Sequence, residues 1–257
     1  LSKNLNSSIL RFFVLKVYRY ALATKNRIVI FQNPSDLALL SKESSLSSSE
    51  TIIIPGSGVD LNKYRYSELP KSMPRILMAS RLLISKGIYD YINASKILKR
   101  KGLKVEFLLA GKPDKSNPLS ISEKEIEEWV NNGYINYLGF QKNINQIIPK
   151  SHIVVLPSYY PEGLPKILCE AAACGRPVIT TNKPGCKDAI LNGKTGLLIE
   201  DRNPQELSKA IIKLIKDEKL LKKMSMDSRI RAEKIFDIKN IVNKHMEIYN
   251  HLLNLGT

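Results

Sequence analysis

Short apolar runs alternate with amphipathic segments from about residue 71 onward, and this alternation limits the folds that the chain can adopt. Helices are predicted between the runs and through most of the remainder, to about residue 253. The predicted strands are 75–79, 105–110, 134–138, 152–156, 177–180 and 196–199. Strands without polar alternation are buried on both faces, as in a parallel sheet covered by helices. We therefore predict an α/β fold, a doubly wound parallel sheet with helices on both faces.

The chain before residue 71 predicts only two strands, 27–32 and 51–54, with a helix that starts at the turn 33–36. We expect these strands to have no partners of their own, and we interpret them as the end of a preceding domain. The chain begins at Leu1 without a signal-peptide pattern, so we expect it to be part of a longer protein. The predicted divisions are 1–55 for the remnant, 56–235 for the complete domain and 236–257 for a C-terminal helix.

The segment 9–22 combines apolar and aromatic residues with the cations Arg11, Lys16 and Arg19 at helical spacings. It is too short and too charged for a transmembrane helix, which needs about 20 apolar residues. One interpretation is a basic amphipathic helix that lies on an anionic membrane surface. The other is an ordinary helix whose apolar face packs in a domain core, and the pattern alone favours it.

The 257 residues include 40 Lys and Arg against 24 Asp and Glu, a formal net charge of +16. This excess favours an anionic partner, such as nucleic acid, an anionic membrane surface or a phosphorylated substrate. A surplus of solvated lysine without any partner is the alternative. The three cysteines provide neither a disulfide framework nor a CxxC pair, which indicates a reducing compartment.

Several common sites are absent from the sequence. No G-x-G-x-x-G follows a strand and no P-loop motif occurs, so neither dinucleotide binding nor a P-loop NTPase is supported. No DxD motif or cluster of His and Asp indicates a metal, and we expect none. His152 falls inside a predicted strand, where a core role is more common than a catalytic one.

In a doubly wound sheet the ligand lies at the carboxyl ends of the strands. The loop after the strand 75–79 carries Arg81 and Lys86, and Gly87 stands directly before the next helix. These cations suit a phosphate or diphosphate, because Arg binds two oxygens in a fork and Lys supplies a point charge. The alternative is that they only keep the loop solvated.

The loop after the strand 152–156 opens a helix and contains Gly163, which permits close backbone approach. Free N–H groups at that helix start can bind an anion or a hydroxyl. Glu162 and Glu170 flank this turn, and eight helical steps span about 12 Å. The two carboxyl groups of a hydrolytic pair lie about 5 to 9.5 Å apart. Glu162 and Glu170 are therefore too far apart for that role and suit different ends of an extended ligand. A structural salt bridge is the alternative for Glu170.

An ordered set of motifs accompanies these loops. Its members are PGSGVD at 55–60, SRL at 80–82 with KG at 86–87, AG at 110–111, LGF at 138–140, PS at 157–158, EGLPKILCE at 162–170, AAACGRPV at 171–178 and NGKTGL at 192–197. In this order they resemble the donor-binding half of a GT-B glycosyltransferase of family 4, whose E-x7-E motif is the segment 162–170. The family usually has Asn where Ser57 stands, and we expect most of its acceptor-binding domain to be missing from this chain.

The resemblance implies a Rossmann-like domain that binds a nucleotide-sugar donor, preceded by a remnant of the acceptor domain. It implies that Arg81 and Lys86 hold the donor diphosphate and that Glu162 contacts the transferred sugar near the reacting centre. These three are the predicted catalytic residues. The family transfers sugar with retention and needs no metal or other cofactor, because the nucleotide sugar is a substrate.

The resemblance also implies three substrate-binding residues. The N–H groups of Gly163 and Leu164 would touch the sugar or phosphate, and Glu170 would take the ribose hydroxyls. The implied function is transfer of a hexose or N-acetylhexosamine, from a UDP-sugar by preference, to a saccharide or lipid-linked acceptor in cell-surface glycan biosynthesis. The implied location is cytoplasmic, peripheral at the inner face of the cell membrane.

Two readings from other classes stay open. The chain could be a non-catalytic fragment that binds nucleotide sugar, or a basic module that binds nucleic acid. We expect no nucleic-acid partner, because the sequence lacks aromatic interleaving and any recognised nucleic-acid-binding module. Within the enzyme class, a phosphorylase or sucrose synthase with the same donor half ranks lower.

Overall fold

A computed structural model describes residues 5–22, 24, 26–44 and 46–254 of the chain. The helices and strands alternate along most of this length. In chain order they are α1 (Leu5–Ala21), β1 (Val29–Phe31), α2 (Pro34–Ser44), β2 (Thr51–Ile53), β3 (Arg75–Ala79), α3 (Ile88–Arg100), β4 (Glu106–Ala110), α4 (Glu123–Asn131), β5 (Asn136–Gly139), β6 (Ile153–Leu156), α5 (Lys166–Ala173), β7 (Val178–Thr181), β8 (Gly196–Ile199), α6 (Pro204–Lys216), α7 (Glu218–Arg231) and α8 (Ile238–Asn254).

Six of the strands form one parallel sheet in the order β5-β4-β3-β6-β7-β8. The sheet confirms the predicted doubly wound α/β fold, because β6 returns to the opposite side of β3 from β4. Ile76 of β3 lies opposite Ile153 of β6, and all four residues of β6 are buried. The strand order therefore reverses between β3 and β6, and a crevice is expected beyond the carboxyl ends of these two strands.

Local sequence signals explain where several helices begin. Ser122 caps α4 by accepting from the Glu125 N–H at 3.3 Å, while a Glu125 carboxylate oxygen accepts from the Ser122 N–H at 2.9 Å. These two bonds form a capping box, and α4 therefore begins just after Ser122. Short 3₁₀ turns lie in the connections before β6 and after β7, at Ile144–Gln146, Ile148–Lys150 and Lys187–Ala189.

The expectation that the two N-terminal strands lack partners is wrong. β1 and β2 pair with each other in parallel, from Val29 opposite Thr51 to Phe31 opposite Ile53. The helix α2 provides the crossover that a parallel pair requires. The helix α8 covers this pair with its apolar face, and Ile54, Ile241 and Ile248 form a buried cluster there, against which Ile28, Ile30 and Ile52 pack. The C-terminal helix therefore packs on the N-terminal segment.

The helix α1 presents aromatic residues to the outside. Phe12, Phe13 and Tyr20 are 55%, 60% and 85% exposed, so the core packing that the pattern favoured is not what the described residues show. Lys16 lies beside this surface, with its ammonium 4.5 Å from the centre of the Phe12 ring. Within the described ranges, every helix is too short or too polar to span a membrane.

Candidate active site at the carboxyl edge of the sheet

Lys86 and Glu162 meet where the strand order reverses. Lys86 comes from the loop after β3 and Glu162 from the loop after β6, and the Lys86 Nζ lies 2.6 Å from the Glu162 Oε2. Each side chain is 16% exposed. The loops pack tightly here because Gly87 has a φ of 78°, and a Cβ at that position would lie 2.1 Å from the Pro157 carbonyl oxygen. The structure thus brings together two of the predicted catalytic residues.

The other carboxylate oxygen of Glu162 has no hydrogen-bond partner among the described residues. Its Oε1 is buried and accepts no hydrogen bond from the part of the chain that the structure describes. A buried acceptor left unsatisfied costs about 1–3 kcal/mol, and such atoms are rare in folded proteins. Because Oε2 is already paired with a cation, Oε1 is available to a donor group such as a hydroxyl.

Side chains from the end of β1 hold the turn that carries Glu162. The Asn33 Nδ2 donates to the Gly163 carbonyl at 2.8 Å and to the Glu162 carbonyl at 3.2 Å. The Gln32 Oε1 accepts from the Leu164 N–H at 3.0 Å. Gln32 and Asn33 are site residues that the sequence does not reveal, because its only signal there is the local helix start at Asn33.

The backbone N–H groups of Gly163 and Leu164, which are predicted to bind substrate, differ in whether they already form a hydrogen bond. The Leu164 N–H is occupied by Gln32, so it reaches a ligand only if that side chain moves away. The Gly163 N–H makes no hydrogen bond to the described residues. The Gly163 N–H is thus open to a ligand and the Leu164 N–H is not, and the binding roles of both stay predictions.

Arg81 lies on the same edge of the sheet but in a separate pocket. Its side chain is exposed and forms no hydrogen bond or ion pair within the described residues. With Lys112, Phe140 and Gln141 it lines a pocket of about 210 Å³ at the ends of β3, β4 and β5. The guanidinium is thus free to bind an anion, and it does not contact Lys86 or Glu162.

Glu170 lies in a different environment from Glu162. It is 6% exposed on α5, and burial raises its pKa, while the hydroxyl of Tyr64 and the charges of Lys166 and Lys63 oppose this rise. No ion pair closer than 4.0 Å involves it among the described residues, so the structural salt bridge is not present there. Glu170 also forms no direct hydrogen bond with Lys86 or Glu162.

The stretch of sequence that contains these site residues identifies the family. Residues 62–231 match the family described as "Glycosyl transferases group 1", which is more than half of the chain. The chain belongs to this family. The matched segment contains Arg81, Lys86, Glu162 and Glu170, together with all six strands of the large sheet.

Relatives of this group 1 chain act in glycan biosynthesis. The N,N'-diacetylbacillosaminyl-diphospho-undecaprenol alpha-1,3-N-acetylgalactosaminyltransferase of Campylobacter jejuni is 27% identical, with 98% of this chain covering 68% of that protein. The capsular polysaccharide biosynthesis glycosyltransferase CapM of Staphylococcus aureus is 29% identical, with 76% covering 51%. The chain thus spans 68% and 51% of the length of these two relatives.

Solved structures share the GT-B fold with this group 1 chain. A glycosyltransferase from Rickettsia africae superposes with a TM-score of 0.81 at 22% identity, over 93% of this chain and 67% of that one. The HepE protein of Anabaena in complex with UDP gives a TM-score of 0.77 at 22% identity, over 87% and 64%. At this identity the likeness concerns the fold alone.

The other candidates from the sequence do not join the site. His152 is 6% exposed, accepts from the Arg75 N–H at Nδ1, and faces the Pro70 carbonyl with Nε2, which confirms a core role. Burial raises the pKa of Cys186 to about 11, so this thiol is protonated. The described residues contain no group of three His, Cys, Asp or Glu that could bind a metal, and the expected metal independence stays a prediction.

Proposed function

We propose that this chain supplies the donor-binding part of a retaining glycosyltransferase of family 4. The enzyme transfers a hexose or N-acetylhexosamine from a UDP-sugar to a saccharide or lipid-linked acceptor. The observation that carries this proposal is Glu162, which pairs with Lys86 through one oxygen. Its other oxygen is buried where the strand order reverses and has no hydrogen-bond partner among the described residues. A sugar rich in hydroxyl groups would satisfy that oxygen.

The charges at this edge fit the chemistry of glycosyl transfer. Breaking the bond between sugar and diphosphate leaves negative charge on the leaving group and positive charge on the sugar ring. Arg81 and Lys86 would stabilise the leaving group, and preorganised charges of this kind contribute several kcal/mol to transition-state stability. The carboxylate of Glu162 would stabilise the sugar. In this arrangement the acceptor attacks from the same face that the diphosphate leaves.

The described residues also offer suitable surroundings for the base and the ribose of a UDP-sugar. The pocket of about 210 Å³ beside Arg81 has the exposed ring of Phe140 on its rim, which suits a flat pyrimidine base. Glu170 would accept the ribose hydroxyls as a carboxylate, once Tyr64 gives way. The structure of HepE with UDP, and the N-acetylgalactosaminyltransferase among the relatives, support this choice of donor.

We place the enzyme in the cytoplasm, peripheral at the inner face of the cell membrane, with no metal requirement and no nucleic-acid partner. A relative whose substrate is linked to undecaprenol supports a lipid-linked acceptor. The net charge of +16 and the exposed aromatic surface of α1 support contact with anionic lipid.

Two substitutions in the full-length protein test the site. Glu162→Gln keeps the shape of the side chain and removes its charge, so kcat for transfer should fall by about 100- to 1,000-fold with UDP affinity nearly unchanged. Arg81→Ala should weaken UDP binding by about 10- to 100-fold, because it removes a charged hydrogen bond. Calorimetry with UDP and GDP measures affinity and nucleotide choice, and a transfer assay with UDP-hexoses and UDP-N-acetylhexosamines measures kcat.

Arg75→Ala is the matched control. Arg75 forms an equally short ion pair, 2.7 Å to Glu106, at the amino ends of β3 and β4. The Arg75→Ala variant should leave both kcat for transfer and UDP affinity unchanged. UDP binding without transfer to any acceptor would favour the non-catalytic fragment. Failure to bind UDP or GDP, with salt-sensitive binding of DNA, would favour the nucleic-acid module.

A further inference from the structure

The side chain of Asn33 forms two kinds of hydrogen bond, and only one kind caps the helix that follows it. It is fully buried, two residues after β1 and directly before α2. Its Oδ1 accepts from the Asp36 N–H at 2.8 Å, and its Nδ2 donates to the Asp36 Oδ2 at 2.7 Å. These bonds begin the helix, and they fix which end of the amide carries the nitrogen.

The other hydrogen bonds of Asn33 join segments that are far apart in the chain. The same Nδ2 donates to the Gly163 carbonyl at 2.8 Å, 130 positions further along. The Glu162 carbonyl, 129 positions along, lies 3.2 Å away and shares one of the two amide hydrogens. Capping a helix requires only an acceptor oxygen, which Ser, Thr or Asp also provides. Donation to these carbonyls requires a donor group as well, and a carboxamide carries its acceptor and its donor on two separate atoms, so it can do both at once.

Asn203 shows what a cap alone looks like in the same molecule. It precedes Pro204 at the start of α6, as Asn33 precedes Pro34 at the start of α2. Its Oδ1 accepts from the Glu206 N–H at 3.0 Å, and its Nδ2 lies 3.4 Å from the same residue's carboxylate. It makes no other side-chain hydrogen bond to the described residues, so the long-range bonds of Asn33 are additional to capping.

The geometry points to Asn33 as a positioning residue for Glu162. Its amide ties the peptide that follows the Glu162 side chain to the end of β1, and so directs the carboxylate towards Lys86 and the crevice. This inference rests on the proposed role of Glu162 beside the transferred sugar. A displacement of about 1 Å at a reacting group can reduce a rate by about 100-fold, so a tether at this point matters for catalysis.

Asn33→Ser and Asn203→Ser in the full-length protein form a matched pair, because Ser retains the cap and removes only the N–H donors. Asn33→Ser should lower kcat for transfer by about 10- to 100-fold, while UDP affinity changes by less than about twofold. UDP affinity changes little because UDP lacks the transferred sugar that Glu162 contacts. Asn203→Ser should leave kcat and UDP affinity unchanged.

Asn33→Asp is the second variant, since it has the same shape and also keeps the cap. It places an acceptor against two carbonyl oxygens, so its kcat should fall at least as far as that of Asn33→Ser. Thermal melting of all three variants shows whether each is folded at the assay temperature.

Two results would overturn the inference alone: wild-type kcat in Asn33→Ser, or a fall in UDP affinity that matches the fall in kcat. A wild-type protein that binds no UDP and transfers no sugar would instead overturn the proposed function, and this inference with it. The wild-type measurements therefore distinguish the two failures.

Discussion

At the scale of single residues, the two glutamates of the E-x7-E segment have opposite surroundings. Glu162 has a cation 2.6 Å away, whereas Glu170 is buried on α5 with its pKa raised above the ordinary value of 4.5. A charge held in such a place reduces the stability of the fold at neutral pH. Such a loss of stability is expected where the group binds a ligand, and is unexpected where the side chain only packs in the core.

Glu170→Gln should make the protein more stable at neutral pH and weaken its binding of UDP. Because the folded-state pKa is raised, the stability linked to this carboxyl is fully present below 4.5 and is lost as the pH rises through the folded value. The advantage of the variant in unfolding free energy should therefore grow across that window. Urea unfolding from about pH 4 to about pH 7 measures it, and calorimetry measures UDP affinity.

Glu125→Gln is the control of opposite sign. Hydrogen bonds from Ser122 and Tyr89 lower the pKa of Glu125, so its contribution is present above its ordinary value and lost as the pH falls. This variant should be less stable than the wild type at neutral pH, and the deficit should shrink in acid. If Glu170→Gln behaved in the same way, or bound UDP as tightly as the wild type, the assignment of Glu170 to the ribose would be wrong.

At the scale of elements, continuous apolar runs were enough to predict the six-stranded sheet, with boundaries displaced by one or two residues. Run 152–156, for example, contains β6 at Ile153–Leu156. The position of Lys86 and Glu162 on one edge also follows from the sequence, since both follow strands. Their direct contact does not, because it depends on β3 and β6 being neighbours in the sheet.

Contacts between distant segments could not be predicted from local patterns. The pairing of β1 with β2 was missed because two short runs carry no information about their partners. Arg176 appeared only as part of a motif, yet it is fully buried and donates to the carbonyls of Ser67, Glu68, Gly175 and Pro149. The bond from Asn33 to the turn at Glu162 crosses 129 positions and has no sequence signal at all.

The packing of α8 on the β1–β2 pair predicts a local effect of core truncation. Ile241 is 3% exposed, so Ile241→Ala should cost about 2–5 kcal/mol in the stability of this unit. Its neighbour Val242 is 50% exposed, and Val242→Ala should change stability by about 0.5 kcal/mol or less. Hydrogen exchange measures the effect: amides of β1 and β2 should exchange faster in Ile241→Ala, while those of β3 stay protected. Equal acceleration in β3 would mean that the two units unfold as one.

At the scale of the whole molecule, positive charge and exposed aromatic surface coincide on α1. Lys16 and Arg19 lie on the helix that exposes Phe12, Phe13 and Tyr20. An amphipathic helix binds anionic bilayers by inserting its aromatic residues at the headgroup level while its cations contact the lipid charge. The charge on the rest of the chain would add a longer-range attraction that salt screens.

Reversing the two cations of α1 should release the full-length protein from anionic vesicles. Each Lys or Arg near such a surface contributes about 1 kcal/mol, so the pair Lys16→Glu and Arg19→Glu should weaken binding to phosphatidylglycerol vesicles by at least about tenfold. The pair Lys101→Glu and Lys104→Glu makes the same change in net charge at exposed positions before β4, and should weaken binding far less. Vesicle sedimentation at low and high salt measures both, with neutral phosphatidylcholine vesicles as the reference. Equal losses in the two pairs would show that net charge alone, rather than α1, attracts the protein to the membrane.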